Sequence, residues 1–117
     1  MSYIDAFVAA VPEKANQAYL DHATTTGEVF KDHGAIEIVE TWGDDIPAGE
    51  VTSLPMAVQA KPDEAIVFSW IRWPSKEARD LGMPKVMEDP RMSEENAPMP
   101  FDGQRMIFGG FNVILEI

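Results

Sequence analysis

Two β-type runs in this chain each stop at a proline, and a helix-type segment follows each stop. The first run, Tyr3 to Val11 (YIDAFVAAV), meets Pro12; the second, Ala65 to Trp73 (AIVFSWIRW), meets Pro74-Ser75. Proline ends a strand because it brings no ladder N–H, and it opens a helix because the first helical N–H has no partner to lose. Ser75 adds a side-chain oxygen that can cap the second helix. A chain that repeats strand-then-helix twice within 117 residues is confined to a few layered α+β plans.

The segments between complete the order. After Pro12, the residues Ala15, Ala18, Tyr19, His22, Ala23, Thr26, Val29, Phe30 and His33 recur at spacings of three and four, and Gly34 follows as a C-terminal cap. This spacing predicts a helix over Glu13 to His33. Ala35 to Trp42 alternates as a strand, with Ile36 and Ile38 on one side and Glu37 and Thr41 on the other. Gly43 to Ser53 reads as a loop and Leu54 to Lys61 as an optional short strand. The second helix is expected to kink or restart at Pro84 and to stop at Pro90. Met92 to Gly103 is a loop, and Arg105 to Glu116 is a last strand whose Gly109-Gly110 pair marks a bulge or a close backbone approach.

Without the optional strand the order is βαββαβ, an α+β, ferredoxin-like sandwich, and residues 1–117 form one domain. The first and third main strands are expected at the centre and parallel, with both helices on one sheet face. In the first strand Ile4, Ala6, Val8 and Ala10 are wholly apolar and are expected under the helices. Tyr3, Asp5, Phe7 and Ala9 carry one charge and form a mixed face. The second sheet face, expected to hold Tyr3, Phe7 and half of the tryptophan-rich strand, has no cover of its own. An uncovered face with aromatic residues predicts a partner. Two such sheets packed face to face make a dimeric α+β barrel, a homodimer closed by two-fold symmetry.

Charge and composition exclude whole classes of function. Acidic residues number 20 against 9 basic, a net charge of −11, and the basic residues form no stripe. Nucleic acid and anionic membrane surfaces are therefore not expected partners. The absence of cysteine removes disulfides, thiolate metal sites and a cysteine nucleophile. No run approaches the ~18 apolar residues of a membrane span. The N-terminus lacks the layout of a signal peptide, so the cytoplasm is the expected compartment.

Several stretches together carry a resemblance: Tyr3-Ile4-Asp5, Trp42-Gly43-Asp44-Asp45, Phe68-Ser69-Trp70-Ile71 before Trp73-Pro74-Ser75-Lys76, Asp89-Pro90-Arg91-Met92, and Met99-Pro100-Phe101-Asp102-Gly103-Gln104-Arg105-Met106. The chain resembles the YbaA-like proteins, a bacterial domain-of-unknown-function family, nearly end to end. The resemblance implies the dimeric α+β barrel fold of antibiotic-biosynthesis monooxygenases, EthD-like proteins and stress-responsive barrel proteins. It implies no particular reaction, because this fold hosts monooxygenases, isomerases, cyclases and non-catalytic binders.

His22 lies on the apolar helical stripe between Tyr19 and Thr26, where an imidazole facing a helix–sheet cavity moves protons near neutral pH. It is the candidate catalytic residue, and its bland counterpart is a hydrogen-bonded, half-buried histidine. His33, in the last turn, is explained by the helix dipole. Trp70 and Arg72 share one strand face and offer a pocket wall and an anion clamp; Ile71 and Trp73 share the other. The expected ligand site is therefore Tyr19, His22, Trp70 and Arg72, with His22 near Trp70 or Arg72. Asp44 and Asp45 are better read as turn residues than as cation ligands, and the residues call for no metal and no cofactor. A haem-degrading activity ranks last, because the second helix carries no histidine to serve as proximal ligand. Two functions compete: cofactor-independent chemistry on an aromatic or carbonyl compound in a small-molecule pocket, and a non-catalytic stress-response or interaction module.

Overall fold

A computed structural model describes residues 1–117. Strand β1 spans Tyr3–Pro12, helix α1 Asn16–Asp32, strand β2 Glu37–Trp42, the short helix α2 Leu54–Ala57, strand β3 Glu64–Trp73, helix α3 Lys76–Glu88 and strand β4 Ile107–Asn112. Omitting α2 gives the expected βαββαβ order, and the fold is a ferredoxin-like α+β sandwich. The four strands lie in the order β2-β3-β1-β4.

β1 and β3 are the central pair, as expected, but they are antiparallel rather than parallel. The reason lies in the connections. Helix α1 carries the chain back so that β2 starts at the same end as β1, but two strand positions away. β3 then enters the gap antiparallel to both. The sheet is antiparallel throughout, with β4 on the far side of β1.

The faces of β1 are also reversed from expectation. Tyr3, Ala9 and Val11, with Phe7 beside them, pack in the helix-side clusters with Tyr19, Ala23, Val29 and Val86. Val8 and Ala10 instead pack with Ile66 against Val58, Ile46 and Ala60 on the opposite face. Asp5 explains the inversion. Its carboxylate accepts from Trp73 Nε1 (2.9 Å) and from Arg79 Nη2 (3.1 Å) on α3, so a charge that looked unfit for the helix layer is paired within it. Tyr3 and Phe7 consequently leave the open face. Its aromatic residues are Phe68, Trp70 and Phe111, aligned through the ladder with Val8, Ala6 and Ile4.

Leu54–Ala57 is helical rather than the optional strand: Ser53 accepts from the Met56 N–H as an N-cap, and Pro55 sits in the first turn. Ser75 caps α3 as expected, accepting from the Ala78 N–H. That helix continues through Pro84 to Glu88 instead of restarting there. The last strand stops at Asn112, short of Glu116.

Gly110 meets the expectation of close approach, since a Cβ there would lie 2.2 Å from the Tyr3 hydroxyl. Gly82 is the tighter notch. A Cβ at Gly82 would stand 2.4 Å from the His33 carbonyl oxygen and 2.6 Å from the fully buried Trp73 ring. Alanine would gain about 1 kcal/mol of helix propensity, but overpacking costs roughly 2 kcal/mol. Neither a backbone carbonyl nor a buried indole yields cheaply, so overpacking wins. Gly82→Ala is expected to lower the urea midpoint without changing the slope of the transition; an unchanged or raised midpoint would contradict this packing.

Candidate functional site

The polar centre of the helix–sheet layer is built from three elements. α1 supplies Tyr19, which is 4 % exposed. Edge strand β2 supplies Glu40, and β3 supplies Ser69, the single polar residue among the buried side chains. The ladder pairs Glu40 directly with Ser69, so both side chains project to the same face. Glu40 Oε1 accepts from the Tyr19 hydroxyl (2.5 Å) and from the Ser69 hydroxyl, while Oε2 takes no bond from the chain. Burial, and then the bond to Glu40, push the Tyr19 phenol well above the usual tyrosine range, so it remains a neutral donor. The result is a carboxylate with one oxygen held by two hydroxyls and the other free to meet a ligand.

Aromatic rings surround Tyr19. Tyr19 lies 6.2 Å from Trp42, 6.4 Å from His22 and 5.9 Å from Phe101 between ring centroids, and Phe101 meets His22 edge-on at 6.2 Å. His22 Nδ1 is buried with no hydrogen-bond partner. A groove of about 400 Å³ runs between α1 and β2 and reaches Glu40 past Leu20, Ala23, Gly27 and Ile38. A second hollow of about 430 Å³ lies beyond the end of β2, walled by Trp42, Ile46, Pro55 and Ile66. Trp42 therefore stands between that hollow and Tyr19.

The four residues expected to share a site lie on two sides of the sheet. Tyr19 and His22 are together on the helix side. Trp70 and Arg72 face the other way, where Glu37 accepts from Trp70 Nε1 (3.0 Å) and Arg72 Nε (3.4 Å), and Arg72 Nη1 donates to Ser2 Oγ (2.7 Å). The sheet itself separates the pairs, so the expected approach of His22 to Trp70 or Arg72 does not occur. His33 does more than meet a helix dipole: its Nε2 lies 3.0 Å from Asp89, which also binds Arg91 at 2.8 Å and ties the ends of α1 and α3. Arg91 first, and His33 second, hold the Asp89 carboxyl far below the usual range.

Glu40 and Ser69 escaped the sequence reading, though each left a signal. Glu40 breaks the apolar side of an alternating strand, in line with Ile36 and Ile38. Ser69 is the polar interruption of AIVFSWIRW. Two such interruptions in neighbouring strands become a site only when the register sets them opposite each other.

The loop carrying Phe101 is pinned at its far end. Arg105 binds Glu64 through both nitrogens at 2.7 Å and donates to the Gln59 carbonyl at 2.9 Å.

Comparison with known proteins places the chain in a family. The family described as "Protein of unknown function (DUF1428)" matches residues 2–103. The chain belongs to this family. It is 51% identical over 116 residues to the uncharacterized protein YbaA of Escherichia coli strain K12, covering 99% of both chains, and equally so to YbaA of Shigella flexneri. Among solved structures it resembles SnoaB, a cofactor-independent oxygenase from Streptomyces nogalater, at TM-score 0.55 and 10% identity, over 99% of this chain and 96% of that one. A dimeric ferredoxin-like protein from an uncultured marine organism aligns at TM-score 0.61 and 9% identity, over 99% and 98%. A putative antibiotic biosynthesis monooxygenase from Bacillus cereus aligns at TM-score 0.55 and 18% identity, over 100% and 95%. At these identities the likeness to solved structures is one of fold.

The Arg105 hydrogen bonds hold the Glu64 carboxyl down at about 2, from 4.5. Because the native value is depressed, this pair stabilises the fold above about 4.5 and ceases to do so as pH falls through about 2. Arg105→Gln should therefore be less stable than the parent at pH 7, with the gap closing toward pH 2. Urea midpoints across that range check this; a gap that widens in acid would refute it.

Proposed function

We propose that this protein is a cytoplasmic homodimer that carries out cofactor-independent chemistry on an aromatic or carbonyl compound in the cleft between α1 and the sheet. The observation that carries the reading is the Glu40 carboxylate. Its Oε1 is fixed by Tyr19 and Ser69, and its Oε2 is free beside a cluster of aromatic rings. A carboxylate oriented in this way is equipped to take a proton from a bound hydroxyl or from carbon next to a carbonyl. The fold shared with a cofactor-independent oxygenase supports the reaction class by analogy. The competing reading, a non-catalytic module, draws on Phe101, which packs against Tyr19 and His22 and fills space beside them.

Dimerisation is argued from the open sheet face. Phe68, Ile107 and Phe111 are 41 %, 44 % and 57 % exposed there. An exposed apolar surface of this kind is covered in solution, and a second copy of the same sheet offers a matching surface.

Two experiments test the proposal. Light scattering at micromolar concentration should give about twice the 13.0 kDa chain mass, and Phe111→Asp should yield a folded species of single chain mass. A parent protein that is monomeric would end the dimer reading. For the chemistry, oxygen uptake and product formation are measured on a panel of phenolic and 1,3-dicarbonyl compounds with the parent and Glu40→Gln. Turnover should fall by about 10²-fold or more, the usual worth of a positioned base. Turnover that survives the substitution would remove Glu40 from the reaction.

A further inference from the structure

We infer that the Phe101 ring occupies the seat of an aromatic ligand, and that the ligand's oxygen substituent hydrogen-bonds to His22 Nδ1 once that ring is displaced. The inference rests on the cleft reading above and names its ligand: an uncharged aromatic ring bearing a hydroxyl or carbonyl oxygen.

The first ground is the orphaned nitrogen. Buried polar atoms in folded proteins are nearly always hydrogen-bonded, yet His22 Nδ1 is buried with no partner. A purely structural residue at this point of an apolar helical stripe is better apolar. The nitrogen is well placed for a bond that the ligand-free chain does not make.

The second ground is what lies against that histidine. Phe101 meets the imidazole edge-on, with an interplanar angle of 87°, and lies tilted by 48° against Tyr19. Unlike the other rings of the cluster, it comes from neither helix nor sheet. Its loop is anchored on one side by Ala97, which is buried, and by Asn96 Nδ2 donating to the Pro90 carbonyl. On the other side the anchor is Arg105 on Glu64. Between these anchors no hydrogen bond joins residues 98–101 to α1 or to the sheet. The ring can therefore leave its seat at the cost of its packing alone, and another flat ring can recover that packing.

The third ground is the charge of the seat. The rings against it are the imidazole and Tyr19, whose hydroxyl is already committed to Glu40. The one lysine bordering the groove that reaches Glu40, Lys31, is engaged with the Ile36 carbonyl. The net charge of −11 opposes an anionic ligand. An imidazole nitrogen accepts from a hydroxyl in one tautomer and donates to a carbonyl in the other. Both define the same requirement: one oxygen on a neutral ring.

The test uses 4-fluorophenol and fluorobenzene, two rings that differ in the oxygen, followed by fluorine NMR with the full-length protein. Phe101→Ala vacates the seat. It should bind 4-fluorophenol more tightly than the parent does, and about five- to tenfold more tightly than it binds fluorobenzene, the worth of one buried hydrogen bond. Adding His22→Leu should abolish that preference while leaving fluorobenzene binding in place. Equal binding of the two probes to Phe101→Ala, or a preference that survives His22→Leu, overturns the inference and leaves the cleft reading standing. Binding of neither probe overturns both. Should Phe101→Ala fail to fold, the melting of His22→Leu alone decides. Replacing an unpartnered nitrogen by an apolar group should raise the midpoint. A fall would show a structural bond at His22 and would overturn the inference.

Discussion

One carboxylate under the helix layer orders the rest of this molecule. Asp5 lies on the central strand β1 and accepts from the indole of Trp73 and the guanidinium of Arg79. A charge in that position is tolerable only when paired and hydrogen-bonded, because desolvation without a partner costs far more than packing returns. The pair brings α3 over the face of β1 that holds Tyr3, Asp5, Phe7, Ala9 and Val11. Since side chains alternate along every strand, this choice propagates through the ladder. Ser69 and Trp73 turn toward the helices on β3, and Glu40 and Trp42 do so on β2. Trp70, Arg72 and Phe68 are thereby sent to the open face.

The same rule operates at Glu40. Its two hydroxyl donors come from α1 and β3, so the side chain that defines the cleft also joins the helix to the sheet. Only one carboxylate oxygen is used in that joint, which leaves Oε2 with acceptor capacity and no partner from the chain. His22 shows the complementary condition, a nitrogen with capacity and nothing to bond. A fold that satisfies its charges so fully at Asp5 and Glu64 makes the unpartnered nitrogen of His22 conspicuous.

The sheet keeps its two surfaces apart. Polar groups suited to chemistry lie on the helix side; exposed Phe68, Ile107 and Phe111 lie on the other. Substitutions on the open face should therefore leave the helix-side groups undisturbed, and those at Glu40 or His22 should leave the open face undisturbed. Sites this far apart and without shared partners behave almost additively.

Much of the architecture was legible along the chain. Proline after Tyr3–Val11 and after Ala65–Trp73, the three-and-four spacing from Ala15 to His33, and the Ser75 cap each act within a few residues. Local backbone chemistry therefore sufficed to order the elements as βαββαβ. The helix at Leu54–Ala57 was equally local, in Ser53 and Pro55, and was misread only because its apolar residues also suit a strand. Facing and site assembly were different in kind. Asp5 looked like a surface charge because its partner Arg79 is 74 residues away. Glu40 and Ser69 were two unrelated polar interruptions until the β2–β3 register set them side by side. Trp70 and Arg72 were grouped with His22, although a whole sheet lies between them. Alternation in a sequence states which residues share a face. It cannot state which face the helices cover, because that depends on charge pairs and strand registers formed between distant segments, and those exist only in the folded chain.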